Sequence, residues 1–118
     1  MKKTSTTLLV FGLYLVGMGL GLVAMPNVVL GTLGFPATSE VWVRVVGVLA
    51  LVLAYYYISA ARADLKTFAQ WTVPARIGVF IAFTAFVVLG FVGPVMVLLG
   101  SVDLLGALWT GWALRAET

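Results

Sequence analysis

The stretch from Val95 to Leu114 constrains this chain most strongly, because it is an apolar run with a carboxylate, Asp103, near its middle. A helix that crosses a bilayer needs roughly 20 mostly apolar residues, and this run is long enough. An acidic side chain at that depth is costly unless a protein partner or a wet cavity accommodates it. The stretch therefore predicts a membrane-spanning helix that turns Asp103 toward other helices.

The composition extends this interpretation to the whole chain. Of its 118 residues, 63% are hydrophobic and only 9% are charged, which is typical of an integral membrane protein. We expect one all-α domain over 1–118, a four-helix transmembrane bundle. The predicted helices cover about 7–25, 41–61, 74–91 and 95–114. The segment at about 27–36 is too short to span, so we expect it to lie in the membrane interface or to cover the bundle.

The positive charges predict the orientation of the bundle. Arg44 lies near one side, and the other basic residues all fall on the opposite side: Lys2, Lys3, Arg62, Lys66, Arg76 and Arg115. The positive-inside rule then puts both termini in the cytoplasm and the loop over 26–40 outside. We expect a multi-pass protein of the bacterial inner membrane. The basic excess is attributed to orientation and lipid contact, not to nucleic-acid binding.

The residues that the chain lacks exclude several kinds of chemistry. It contains no cysteine and no histidine, so thiolate nucleophiles, histidine-ligated haem and a Ser-His-Asp triad are excluded. Only four acidic residues are present, and three of them fall at helix ends or in loops. The sequence therefore predicts no metal site, no cofactor and no catalytic centre.

Glycines at helical spacing mark the expected helix contacts. Gly17 and Gly21 form a Gly-x-x-x-Gly pattern, which lets a second helix approach closely. The alternative is coincidence, since glycine is common in membrane helices. The full set of predicted packing positions is Gly17, Gly21, Gly47, Gly100, Gly106 and Gly111.

Asp103 needs a partner, and Arg44 is the cation that we expect to supply it. Arg44 shares its helix face with small residues and lies ~5 Å from the outer end of its helix, whereas Asp103 lies ~13 Å from the outer end of its own. A long arginine side chain can bridge most of that difference. Arg76, taken to lie near the cytoplasmic end, is expected to be too far away.

The predicted pair has two interpretations. In one, Arg44 and Asp103 only fix the register and handedness of the helices. In the other, they form the floor of an outward-facing pocket lined by Tyr14 and Trp42, since ionisable groups inside a membrane commonly mark functional sites. Tyr55 belongs either to the pocket lining or to an interfacial aromatic belt.

Four pieces of the sequence resemble the DoxX-like small bacterial four-helix membrane proteins. They are the glycine-rich first helix ending at Pro26, the segment Leu33-Gly34-Phe35-Pro36, the segment Arg44-Val45-Val46-Gly47 and the segment Asp103-Leu104-Leu105-Gly106-Ala107. The resemblance implies a four-helix fold and, since one relative is linked to membrane thiosulfate and quinone oxidation, an accessory or quinone-adjacent subunit.

Three functions remain open from the sequence. The first is a non-catalytic accessory or assembly subunit, or a homo-oligomer, whose partners are the bilayer and another membrane chain. The second is a binder or transporter of a small apolar, amphipathic or quinone-like molecule that uses Arg44 and Asp103. The third and least favoured is a membrane enzyme with Asp103 as general acid or base, because no second catalytic group accompanies it.

Overall fold

The computed structural model describes residues 1–117 and contains five α-helices. They are α1 (Lys3–Ala24), α2 (Pro26–Thr32), α3 (Trp42–Arg62), α4 (Lys66–Val88) and α5 (Val95–Ala116). Four of them, α1, α3, α4 and α5, are long and apolar enough to cross a membrane. The chain is therefore all-helical, and its helices are those of a multi-pass membrane protein.

Helix α2 is the ordered part of the segment that we expected at the membrane interface. Pro26 begins it at the first helical position, where a missing N–H has no cost. The helix folds back on α1, since a Cβ built on Gly21 would lie 2.8 Å from Val29 Cγ2. The amide of Thr38 donates to Asn27 Oδ1 over 2.9 Å, which ties the following loop to the same helix.

Three helices end in the same way, with a residue in the left-handed conformation. Gly34 (φ 82°) follows α2, Asp64 (φ 51°) follows α3, and Gly90 (φ 80°) follows α4. At the third of these ends Phe91 N donates to Phe86 O over 2.9 Å, and the two rings lie 6.1 Å apart. These bonds satisfy the last carbonyls of each helix and reverse the chain in a few residues.

Helix α4 begins earlier than the sequence predicts. We expected its start at Pro74, but it begins at Lys66 and Pro74 lies inside it. Membrane helices tolerate an internal proline, because neighbouring groups compensate the single lost backbone hydrogen bond. The earlier start moves Arg76 to ~15 Å along the axis from Lys66, so the arginine lies deep in the helix.

Helices α1 and α3 pack closely because glycines face each other across them. A Cβ on Gly47 would lie 2.9 Å from the Gly19 carbonyl oxygen and 2.9 Å from Leu22 Cβ. A Cβ on Gly12 would lie 2.8 Å from Ile58 Cγ1. By contrast, Gly17 has no atom within 4 Å of its Cβ position. The close contact therefore uses Gly12 and Gly19 of α1.

Helices α4 and α5 form a second pair, and α1 contacts both of them. Gly100 allows the approach of α4, because its Cβ would lie 3.3 Å from Phe83 Cβ. Tyr57 of α3 meets Phe68 of α4 edge to face at 5.4 Å. We call the end of the molecule that carries both chain termini and this contact the terminal end, and the opposite end the α2 end.

Polar contacts at the terminal end join the two termini to the turn between α3 and α4. Asp64 accepts from Ser5 Oγ at 2.5 Å and from the Lys2 amide at 3.4 Å. The Thr4 amide donates to Glu117 Oε1 at 2.9 Å. The hydrogen bond from Ser5 is the main cause that lowers the pKa of Asp64, and the Thr4 amide does the same for Glu117.

The glycine contact predicts a position-specific cost for one methyl group. Gly47→Ala places its Cβ against the Gly19 carbonyl and Leu22, so we expect it to lower the free energy of unfolding by about 1–3 kcal/mol. Gly17→Ala adds the same atom to an open helix surface and serves as the control. Unfolding in mixed micelles measures both, and equal stability of the two variants would contradict the contact.

The terminal-end contacts predict acid sensitivity. Both carboxyl pKa values are lowered in the folded protein, so the stabilisation is present above their usual values of 3.8 and 4.5 and is lost as pH falls through the lower folded values. We expect the melting temperature to drop below about pH 4. Asp64→Asn, which tolerates the left-handed backbone, should weaken this dependence. Glu40→Gln is the control, and an unaltered pH profile in Asp64→Asn would refute the prediction.

Candidate functional site

An apolar cavity of about 420 Å³ lies between the two helix pairs at the α2 end. It exists because α3 packs on α1 there, while the contact between α3 and α4 is made by Tyr57 and Phe68 at the terminal end. All five helices contribute to its wall. Representative lining residues are Met18, Leu22, Leu30, Val46, Ala50, Val79, Phe83 and Leu99. Leu33 and Phe35, which follow α2, complete the wall at that end.

The inner end of the cavity carries its polar groups, Asp103 and Tyr14. Asp103 lies ~12 Å along α5 from Val95 and is therefore deep in the span. Within residues 1–117 neither the Asp103 carboxylate nor the Tyr14 hydroxyl has a hydrogen-bond partner. The cavity thus ends at an acceptor and a donor that remain available.

Arg76 is the cation next to Asp103, and it lies in the protein wall behind the cavity. Its side chain is only 2% exposed. The guanidinium carbon lies 4.8 Å from the Phe11 ring centroid and 5.5 Å from that of Tyr57. A Cβ on Gly106 would lie 3.0 Å from Arg76 Nη1. Its charge acts on Asp103, and the faces of the two rings provide cation–π contacts to the guanidinium.

A chain of hydrogen bonds holds the Arg76 side chain in this position. Nη2 donates to Thr72 Oγ1 at 2.9 Å and to Thr110 Oγ1 at 2.8 Å, and Nε donates to the Thr72 carbonyl at 3.2 Å. Thr110 Oγ1 lies 2.7 Å from Thr7 Oγ1. Since the Thr7 hydroxyl donates to the Thr4 carbonyl, the Thr110 hydroxyl must donate to Thr7. Nη1 remains buried without a partner in the described residues.

The structure does not bring Arg44 to Asp103. Arg44 is exposed at the α2 end, and its Nη1 donates to the carbonyl of Val23 in the last turn of α1. A cation near a helix C-terminus satisfies carbonyls that have no partner within the helix. Arg44 therefore joins α3 to the end of α1, and the charge nearest to Asp103 is that of Arg76.

Among the predicted lining residues, Tyr14 lines the cavity, whereas Trp42 and Tyr55 lie outside it. Trp42 is 69% exposed and Tyr55 is 68% exposed, so both project from the outer surface of α3. Their neighbours on the inner face, Val43 and Ala50, line the cavity in their place. The aromatic side chains occupy the surface that a bilayer would contact.

The predicted packing glycines have different neighbours. Gly47 faces α1, Gly100 faces α4, and Gly106 lies against Arg76 and Phe11, while Gly21 meets α2. Gly111 is only in ordinary contact, since its Cβ would lie 4.0 Å from Val73 Cγ1. Four of the six positions therefore allow a close approach between elements. The two remaining positions, Gly17 and Gly111, have space for a side chain.

Arg76 is the residue of the candidate site whose position the sequence reasoning missed. The error came from starting the third long helix at Pro74, which left the arginine at the helix end. One signal was present, because Thr72 and Arg76 are separated by one helical turn and lie on one face. No comparable signal identifies Thr7 and Thr110, which are far apart in the sequence and meet only in the folded chain.

Comparison with protein-family models, with curated proteins and with solved structures gives no match for this chain. The resemblance to the DoxX-like proteins therefore stays a prediction.

The hydrogen-bond chain predicts a contrast between two threonines whose hydroxyl groups are buried. Thr110→Val removes both the acceptor for Arg76 and the donor to Thr7, so we expect a loss of about 1–2 kcal/mol in the free energy of unfolding. The Thr84 hydroxyl is buried without a partner in residues 1–117, so Thr84→Val should be neutral or stabilising. Denaturant titration in mixed micelles measures both variants. A loss in Thr84→Val as large as that in Thr110→Val would contradict the proposed chain.

Proposed function

We propose that this protein binds a small, largely apolar molecule from the membrane in the cavity at the α2 end. The observation that carries the proposal is the apolar cavity of about 420 Å³, whose inner end has two hydrogen-bonding side chains without a hydrogen-bond partner in residues 1–117. A concave, mainly apolar site with a few convergent polar groups is the usual form of a small-molecule site.

The role of Asp103 in this proposal follows from its position. A carboxylate deep in an apolar helix is expensive, and the hydrogen bonds of Arg76 to Thr72 and Thr110 leave that arginine fixed beside it. A purely structural carboxylate would gain by accepting hydrogen bonds from such a neighbour. Asp103 instead borders the cavity, where a ligand can reach it.

The orientation completes the proposal. Lys2, Lys3, Arg62, Lys66 and Arg115 lie at the terminal end, so the positive-inside rule puts that end in the cytoplasm. The cavity then belongs to the outer half of a bacterial inner membrane, below α2. A quinone-like ligand remains one candidate in this class, and the protein acts as a binder or carrier without a catalytic centre.

A second candidate function is that of an accessory subunit or homo-oligomer. Gly17 and Gly78 have open space on α1 and α4, and both are exposed, so a further helix could approach at either position. Native mass spectrometry after mild extraction distinguishes the candidates, because it reports subunit stoichiometry and retained small molecules together.

Blocking the cavity tests the main proposal. Ala50 lines the cavity and is half-buried, so we expect Ala50→Trp to fill the space and abolish a stoichiometric small-molecule adduct in the native mass spectrum. Val48→Trp adds the same side chain to the exposed surface of α3 and should leave the adduct in place. Photolabelling with an apolar diazirine probe, followed by peptide mapping, should show the same contrast. Labelling that Ala50→Trp leaves unchanged would refute the proposal.

A further inference from the structure

Building on the proposed function, we infer that the occupant of the cavity is a neutral long-chain molecule whose polar end is a hydroxyl group, which donates to Asp103 and accepts from Tyr14. Both side chains line the inner end of the cavity, and neither has a hydrogen-bond partner in residues 1–117. The inference concerns the polar end of the ligand, because that end decides selection inside a membrane.

The apolar wall of the cavity cannot by itself select a ligand from the bilayer. Transfer of an alkyl chain from lipid to a wall of leucine, valine and phenylalanine removes no apolar surface from water, so the hydrophobic effect contributes little. Any difference in affinity between two membrane molecules must therefore come from protein groups whose chemistry differs from that of lipid tails. In the cavity those groups are the carboxylate of Asp103 and the hydroxyl of Tyr14.

The charges near the inner end favour a neutral ligand. Arg76 is near enough for its positive charge to act on Asp103, so the two side chains together carry no net charge when both are ionised. A carboxylate-ended ligand would add a second negative charge beside Asp103, and an ammonium-ended ligand would leave one positive charge in excess. Neither could use Arg76 directly, because that side chain is 2% exposed and lies against Phe11, Tyr57 and Gly106.

The hydrogen-bonding capacity of the two groups then selects the chemical class. When Asp103 is ionised, its carboxylate only accepts hydrogen bonds, and the ligand must then donate to it. The phenolic hydroxyl of Tyr14 can donate in turn to an oxygen of the ligand. A hydroxyl group satisfies both with one oxygen atom. Ketones, esters and ethers lack the donor, and their binding would leave the carboxylate unpaired.

The ligand would lie along the helices with its hydroxyl toward the terminal end. The apolar residues Leu99, Met96 and Leu30 continue from Asp103 toward the α2 end. The distance from Asp103 to the start of α5 is ~12 Å, so the part of the alkyl chain nearest to the hydroxyl lies within the cavity.

A competition experiment with matched ligands tests the inference. The full-length protein in nanodiscs is photolabelled in the cavity with an apolar diazirine probe, and the label is displaced by a long-chain secondary alcohol, by the ketone of the same skeleton, and by the corresponding fatty acid and alkylamine. We expect the alcohol to compete about ten-fold better than each of the others. Equal competition by alcohol and ketone, or better competition by the ketone, acid or amine, would overturn the inference.

Two variants, each with a control, test whether Asp103 and Tyr14 cause the preference for the alcohol. Asp103→Leu should retain labelling but remove the preference for alcohol over ketone, whereas Asp64→Asn, in the turn at the terminal end, should keep it. Tyr14→Phe should reduce the preference, whereas Tyr55→Phe, outside the cavity, should not. A preference that survives Asp103→Leu would overturn the inference and leave the proposed function intact. If cavity peptides are not labelled in the unchanged protein, the proposed function itself fails.

Discussion

The buried guanidinium of Arg76 is the constraint on which the arrangement of the long helices depends. A cation that is 2% exposed between apolar helices must find hydrogen bonds and favourable electrostatic contacts inside the protein. It finds them on three other helices, at Phe11 of α1, Tyr57 of α3 and Thr110 of α5. Any displacement of one of these helices would cost a contact to the charge. The guanidinium therefore fixes the relative positions of all four long helices at one level.

The two ends of the molecule differ because the Arg76 guanidinium and its contacts lie nearer to the terminal end than to the α2 end. Toward the terminal end, polar contacts around Asp64 and Glu117 tie the termini to the turn between α3 and α4. Toward the α2 end, the two helix pairs separate and leave the cavity. The short helix α2 and the residues after it cover that opening. Polar contacts thus hold the terminal end together, whereas an apolar cavity separates the helix pairs beneath α2 at the other end.

Hydrophobic run length was enough to predict the four long helices. The helix boundaries were harder to predict, because a proline within a membrane helix resembles a helix start in the sequence. That ambiguity at Pro74 moved the predicted start of α4 and hid the depth of Arg76. The rejection of Arg76 as a neighbour of Asp103 followed from it. The error shows that one boundary residue can change the inferred partner of a buried charge.

Residues that meet only through the fold could not be predicted from the sequence alone. Thr7 and Thr110 share a hydrogen bond across more than a hundred positions, and no local pattern marks either of them. Asp103 was identified as a candidate because a carboxylate is conspicuous in the middle of an apolar helix. Gly12 and Gly19 were overlooked in favour of the Gly-x-x-x-Gly pattern at Gly17 and Gly21. Their spacing of seven residues is the one expected for helices that cross at a shallow angle.

The pairing of α1 with α3 and of α4 with α5 has a consequence for how the chain assembles during synthesis. Each helix of a pair packs mainly on a helix that lies close to it in the sequence, and the two pairs are joined by the short turn at Asp64. The first pair can therefore dock in the bilayer while the ribosome is still translating the second. Arg76 follows in α4, and Thr110 of α5 is the last of the central contacts to enter, so the guanidinium gains its partner on α5 only when the final helix joins the bundle.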